Sequence, residues 1–145
     1  MDKFIRSALL IGEENINKLT TKTVMIFGCG GVGSYVIEGL VRTGIKNFVL
    51  IDNDEVSISN INRQIIATTN TIGNLKTQVC KERILSINPD SNVFTYEQFI
   101  LPETINNINF NNIDFIVSEV LDLDPVSVTV KISSLVNVVF FKGLL

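Results

Sequence analysis

Thr23-Val24-Met25-Ile26-Phe27-Gly28-Cys29-Gly30-Gly31-Val32-Gly33 is the stretch that decides the fold. A short apolar run ending in glycines reads as a buried parallel strand. From Gly33 to Arg42 the period changes: Val36, Ile37, Leu40 and Val41 mark one face of a helix, and Gly44 stands where a C-terminal cap belongs. Strand, Gly-x-Gly-x-x-Gly and helix in that order form a nucleotide-binding fingerprint. Gly28 permits the tight turn, Gly30 lets backbone approach a phosphate, and Gly33 allows close helix–strand packing. The helix N-terminus turns free N–H groups and a partial positive charge toward the anion.

Outward from this loop, Asn47-Phe48-Val49-Leu50-Ile51-Asp52 is a second apolar strand with a carboxylate at its end. At that spacing Asp52 suits the ribose hydroxyls of a nucleotide. Leu75, Val79, Ile84 and Ile87 predict a helix closed by Asn88-Pro89. Asn92–Tyr96 reads as a third strand and Ile113–Val117 as a fourth. Upstream, two short helices are expected, one over about Lys3–Leu10 and one after Gly12 with Ile16 and Leu19 on one face. The alternation predicts an α/β, Rossmann-like, doubly wound and mainly parallel sheet with helices on both faces. The segments are 1–22, an N-terminal helical part; 23–125, the nucleotide-binding domain; and 126–145, a divergent tail. That tail fits a last edge strand or part of a sheet incomplete at its C-terminal side, and the second is the expectation.

Composition narrows the chemistry. The 145 residues fit one domain, 46% of them are apolar, and no uncharged run is long enough to span a bilayer. The start, Met1–Arg6, has neither an apolar core nor a small-residue cleavage site, so a cytoplasmic location is the expectation. With no histidine and two distant cysteines, Cys29 and Cys80, neither a Cys–His nucleophile nor a zinc site can be assembled from this chain. Acid–base work must rest on Asp, Glu, Lys, Arg or the backbone. A net charge of −3 gives no footprint for nucleic acid.

The glycine loop alone accommodates NAD, FAD or ATP. The discriminating stretch is Asp52-Asn53-Asp54-Glu55-Val56-Ser57-Ile58-Ser59-Asn60-Ile61-Asn62-Arg63-Gln64. It leaves the carboxyl end of the second strand, where ligands bind in such sheets. Arg63 offers a fork of donors for an attacked α-phosphate, which hydride transfer from a nicotinamide does not need. On spacing alone the same side chains serve equally well as caps of a helix starting near Ile61, with Arg63 in solvent.

Asp-x-Asp and Ser-Asn-x-Asn-Arg-Gln after Gly-x-Gly-Gly-Val-Gly resemble the ubiquitin-activating, molybdopterin-synthase-activating and thiamine-thiocarboxylate adenylating enzymes. Phe4-Ile5-Arg6-Ser7-Ala8-Leu9-Leu10-Ile11-Gly12-Glu13-Glu14 and Gly33-Ser34-Tyr35-Val36-Ile37-Glu38-Gly39-Leu40 resemble one bacterial branch, the tRNA threonylcarbamoyladenosine dehydratases. Those enzymes use ATP to activate a threonyl carboxylate on a modified tRNA adenosine, which then cyclises with loss of water. The likeness runs from about Phe4 to Val117. It implies that Gly28, Gly30, Gly31 and Gly33 line the phosphates and that Asp52 holds the ribose. Asp54, Ser59, Asn60, Asn62, Arg63 and Gln64 join the ATP contact, with Arg63 on the phosphates.

Gly73-Asn74-Leu75-Lys76 matches the family's Gly-x-x-Lys, which makes Lys76 the lysine at the α-phosphate; on spacing alone it is an exposed first-turn residue. Arg6 matches an arginine that crosses a twofold axis into the neighbouring subunit, which implies a homodimer; otherwise it is a surface charge. The family's strand ending Asp-Ala-x-Asp supplies a carboxylate to Mg2+. Here the pattern is broken, with Asp124 the match and Asp122 the alternative. After Ser127 the likeness fades while relatives continue, so a truncated or split form is expected. A tRNA acceptor rests on the resemblance alone, and a sulfur-carrier or ubiquitin-like protein is the alternative partner.

Overall fold

The computed structural model describes residues 3–99, 104–118 and 137–140. Two short helices, α1 (Ile5–Ile11) and α2 (Glu13–Thr21), precede β1 (Thr23–Phe27), α3 (Gly31–Thr43), β2 (Asn47–Ile51), α4 (Lys76–Ile87), β3 (Asn92–Tyr96), β4 (Phe115–Ser118) and β5 (Asn137–Phe140). The sheet order is β3-β2-β1-β4-β5, and every neighbouring pair is parallel. The predicted α/β parallel sheet is therefore present. β5 lies inside the segment 126–145 and pairs with β4, Phe115 opposite Asn137. Among the described residues no helix is long and apolar enough to cross a membrane.

Side chains alternate across the strands, so the sheet carries two cores. Val24, Ile26, Phe48 and Leu50 face one cluster with Ile37 and Val41 of α3 and Val79 and Ile84 of α4. Met25, Phe27, Val49, Ile51 and Ile116 face the other, where Ile105, Ile108 and Ile113 of the β3–β4 connection cover them. The chain thus changes sides after β3. The order reverses between β1 and β4, and that switch opens a crevice at the carboxyl ends of the strands.

The two halves are joined at the base of the switch by Asp114. Its carboxylate accepts from Lys22 Nζ (2.7 Å) and from the Thr23 N–H (2.9 Å), and its own N–H donates to the Thr23 carbonyl. This brace makes β4 start at Phe115, two residues later than the apolar run suggests. α3 begins at Gly31, two residues earlier than expected, because the Ser34 N–H donates to the Gly30 carbonyl.

Two carboxylates make this scaffold acid-sensitive. Glu38 on α3 is held below its ordinary value of 4.5, chiefly by hydrogen bonds from Arg83 on α4, with Arg42 adding to it against the cost of burial. Burial pushes Asp114 upward from 3.8, but Lys22 and the Thr23 N–H outweigh it and the net shift is down. A lowered folded-state value stabilises the fold above the unfolded value and loses that stability as pH falls through the folded one. Thermal unfolding is therefore expected to drop as pH is lowered below these ordinary values, and Glu38→Gln to flatten part of that drop. An unchanged pH profile in Glu38→Gln would remove Glu38 from the account.

Candidate functional site

The site assembles at the carboxyl ends of β1 and β2. β1 runs into Gly28, whose N–H donates to the Ile51 carbonyl (2.9 Å) and whose φ of +89° is the left-handed conformation that favours glycine. Cys29 and Gly30 carry the chain to the N-terminus of α3, where Gly31 is the first helical residue and Gly33 is buried in the first turn. The buried Ser34 Oγ in the same turn has no protein partner.

Asp52 stands opposite. One carboxylate oxygen accepts from the Cys29 N–H (2.7 Å) and the other from the Asp54 N–H (2.8 Å). Each oxygen retains a lone pair, so the carboxylate still has capacity for the two ribose hydroxyls. The Cys29 N–H is a contact that side-chain patterns do not reveal.

The loop after β2 folds back on the segment before α4. The Val56 N–H donates to the Asn74 carbonyl, the Gly73 N–H to the Val56 carbonyl and the Lys76 N–H to the Asp54 carbonyl. Glu55 and Leu75 form an antiparallel bridge within this clamp. The clamp sets Lys76 at the first residue of α4, only 6% exposed, with Nζ 2.7 Å from Asp54 Oδ2. The exposed alternative for Lys76 is thereby corrected: the pairing of residues 54–56 with 73–76 covers it.

Ser59, Asn60, Asn62, Arg63 and Gln64 come together in one turn. No α-helix begins at Ile61; a single 3-10 turn spans Ile58–Asn60 instead. Asn60 is its hub, because its buried Oδ1 accepts from the Ser57 N–H and its carbonyl accepts from the Arg63 and Gln64 N–H groups. Arg63 is exposed, and its Nη1 donates to the Ser59 carbonyl (2.9 Å) and to Asn62 Oδ1 (3.0 Å). The Ser59 hydroxyl shares a hydrogen bond with the Ser57 hydroxyl. Gln64 is buried, and its Oε1 has no protein partner. A buried acceptor without a donor costs stability unless a ligand or water meets it.

Arg6 lies elsewhere in the chain. The start of α1 is tied to the far end of the domain, where a Cβ on Gly44 would come within 4.0 Å of Phe4 and Lys3 Nζ reaches Asn88 Oδ1 (2.6 Å). Those are the C-caps of α3 and α4, and α3 alone is about 20 Å long at 1.5 Å per residue. Arg6, exposed on α1, therefore does not reach its own chain's glycine loop. Asp122 and Asp124 lie outside the described residues. β4 ends in Ser118, whose buried Oγ has no protein partner.

The arrangement fits a nucleoside triphosphate: a left-handed glycine turn, a helix N-terminus, a ribose-capable carboxylate, and Lys76 and Arg63 as cations. For Mg2+, the described residues contain no group of three or more His, Cys, Asp or Glu side chains.

Known proteins share this fold. The model of the ThiF family matches residues 4–136. The tRNA threonylcarbamoyladenosine dehydratase of Bacillus subtilis (strain 168) is 37% identical over 117 residues, covering 81% of this chain and 46% of that protein. The SUMO-activating enzyme subunit 2 of Dictyostelium discoideum is 29% identical over 108 residues, covering 74% of this chain and 16% of that protein. The crystal structure of E. coli tRNA N6-threonylcarbamoyladenosine dehydratase in complex with ATP superposes with a TM-score of 0.91 at 30% identity, covering 97% of this chain and 59% of that one. The chain spans less than half the length of the curated dehydratases it matches.

Proposed function

The chain belongs to the ThiF family, and from that premise we propose that it binds ATP at the carboxyl edge of β1 and β2 to adenylate a carboxylate. Bound ATP supplies an α-phosphorus open to attack by that carboxylate, with pyrophosphate as the leaving group. The observation that carries this reading is Lys76. A buried cation at the first residue of a helix opposes the helix dipole, and a polyanion beside it reverses that penalty. The glycine loop and the N-terminus of α3 hold phosphate oxygens, Asp52 orients the ribose, and Arg63, held by Ser59 and Asn62, balances the charge that grows during attack. Gln64 Oε1 is free to accept from the nucleotide or its water.

The substrate we assign is N6-threonylcarbamoyladenosine in tRNA, cyclised with loss of water; the likeness to the dehydratases supports this. Mg2+ would be held by Asp124, with Asp122 the alternative, together with phosphate oxygens. A homodimer completes the site by lending Arg6. Two features support it: α1 has no buried residue, and it exposes Ile5, Leu9, Leu10 and Ile11. A ubiquitin-like or sulfur-carrier protein is the other acceptor, supported by the likeness to the SUMO-activating subunit.

A second reading is nucleotide binding without turnover. It is favoured by β4 ending in Ser118 and by the absence of the Asp-Ala-x-Asp pattern from residues 118–127 of the sequence.

Thermal shift separates ATP from NAD: ATP is expected to stabilise the chain and NAD to leave it unchanged, and the reverse would overturn adenylation. Arg63→Ala, which removes one charge-assisted contact of about 1.5–3 kcal/mol, is expected to weaken ATP roughly tenfold or more. ATP–pyrophosphate exchange with the acceptor present then distinguishes turnover from binding, since exchange no faster than in Arg63→Ala favours the second reading.

A further inference from the structure

We propose that Asp54 is a positioning residue for the phosphate-binding lysine, acting through Lys76 rather than on the nucleotide itself; this rests on the proposed ATP site. A continuous hydrogen-bonded path links the glycine loop to that lysine. The Cys29 N–H donates to Asp52 Oδ2, Asp52 Oδ1 accepts from the Asp54 N–H, and Asp54 Oδ2 accepts from Lys76 Nζ at 2.7 Å. Asp54 grips Lys76 a second time through the main chain, its carbonyl accepting from the Lys76 N–H at 3.0 Å.

The asymmetry of the pair indicates which partner needs the other. The Lys76 side chain is 8% exposed and that of Asp54 is 59% exposed. The carboxylate is well solvated without the lysine, whereas the ammonium is out of water at a helix N-terminus, with no acidic residue in the first turn of α4. Asp54 therefore fixes where Lys76 Nζ sits. An ammonium has three donors, so one bond to Asp54 leaves two for phosphate oxygens. A lysine held in this way presents its remaining donors along a fixed direction. Without Asp54 it would have to be ordered by the nucleotide at the moment of binding.

The test compares ATP and adenosine binding by calorimetry to the full chain, with Mg2+ and with a chelator, for wild type, Asp54→Asn, Lys76→Met and the double variant. Asp54→Asn is expected to weaken ATP about tenfold, the size of one charge-assisted contact, while adenosine affinity stays at the wild-type level. In the Lys76→Met background the same substitution is expected to add nothing. Asp54→Glu, which keeps a carboxylate within reach of Nζ, is expected to restore ATP binding, and it carries the test should Asp54→Asn fail to fold. Equal losses of ATP and adenosine, losses that add in the double variant, an effect confined to Mg2+, or no rescue by glutamate would each overturn the lysine role. A wild type that binds neither ligand would instead overturn the ATP site and this inference with it.

Discussion

Phe48→Ala is expected to lower the free energy of unfolding by about 3–5 kcal/mol, the usual cost of truncating a fully buried phenylalanine. Phe48 is 0% exposed and sits in β2, with Val24 of β1 on one side and Val93 of β3 on the other. Its face packs with Ile37 and Val41 of α3 and Val79 and Ile84 of α4. No solvent-side route exists for the surroundings to collapse into the space, because the strand is flanked on both edges and covered by helices. Domains are stable by only about 5–15 kcal/mol, so this one change removes a large part of the total. The neighbouring control is Phe94→Ala in β3: Phe94 is 67% exposed, and its loss should stay within about 0.5 kcal/mol. Urea unfolding followed by circular dichroism checks both, and similar midpoints for the two variants would contradict the assignment of the core.

The strands were open to sequence reasoning for the reason that makes Phe48 costly to remove. Parallel strands buried on both faces are written as unbroken apolar runs, and Thr23–Phe27 and Asn47–Ile51 fall where those runs lie. Helix edges were less visible. Gly31 and Gly33 are poor helix formers, yet both are in α3, because the turn after β1 and packing on the sheet outweigh propensity. At the site, the glycine loop and Asp52 were readable from local order, since strand, loop and helix follow one another in the chain. The burial of Lys76 was not. It depends on Asp54, far upstream, through a main-chain clamp that leaves no periodic mark. Asn60 was read as a ligand contact by its motif, and the structure also makes it the hub of its turn, a role fixed by backbone N–H groups that sequence patterns do not display.

Gly28→Ala should have the largest effect on ligand binding. At φ +89° an alanine is strained by about 1–3 kcal/mol, and the loop can relieve that strain only by moving. Its N–H is fixed to the Ile51 carbonyl, and the next N–H, of Cys29, is fixed to Asp52. Relief at residue 28 therefore displaces the Asp52 carboxylate and the approach to the N-terminus of α3 together. ATP-dependent stabilisation in a thermal-shift titration is expected to vanish at concentrations that saturate the wild type. Gly44→Ala is the matched control. Its φ is +106°, so the backbone cost is of the same kind, and the new Cβ would meet Ile16 at 3.8 Å, an ordinary contact. That residue caps the opposite end of α3, so Gly44→Ala is expected to lower the melting temperature while leaving the ATP response whole. Strain alone predicts equal behaviour of the two variants; a phosphate-binding turn predicts that only Gly28→Ala loses the nucleotide. If Gly28→Ala kept a full response to ATP, the phosphates would have to lie away from the loop between β1 and α3.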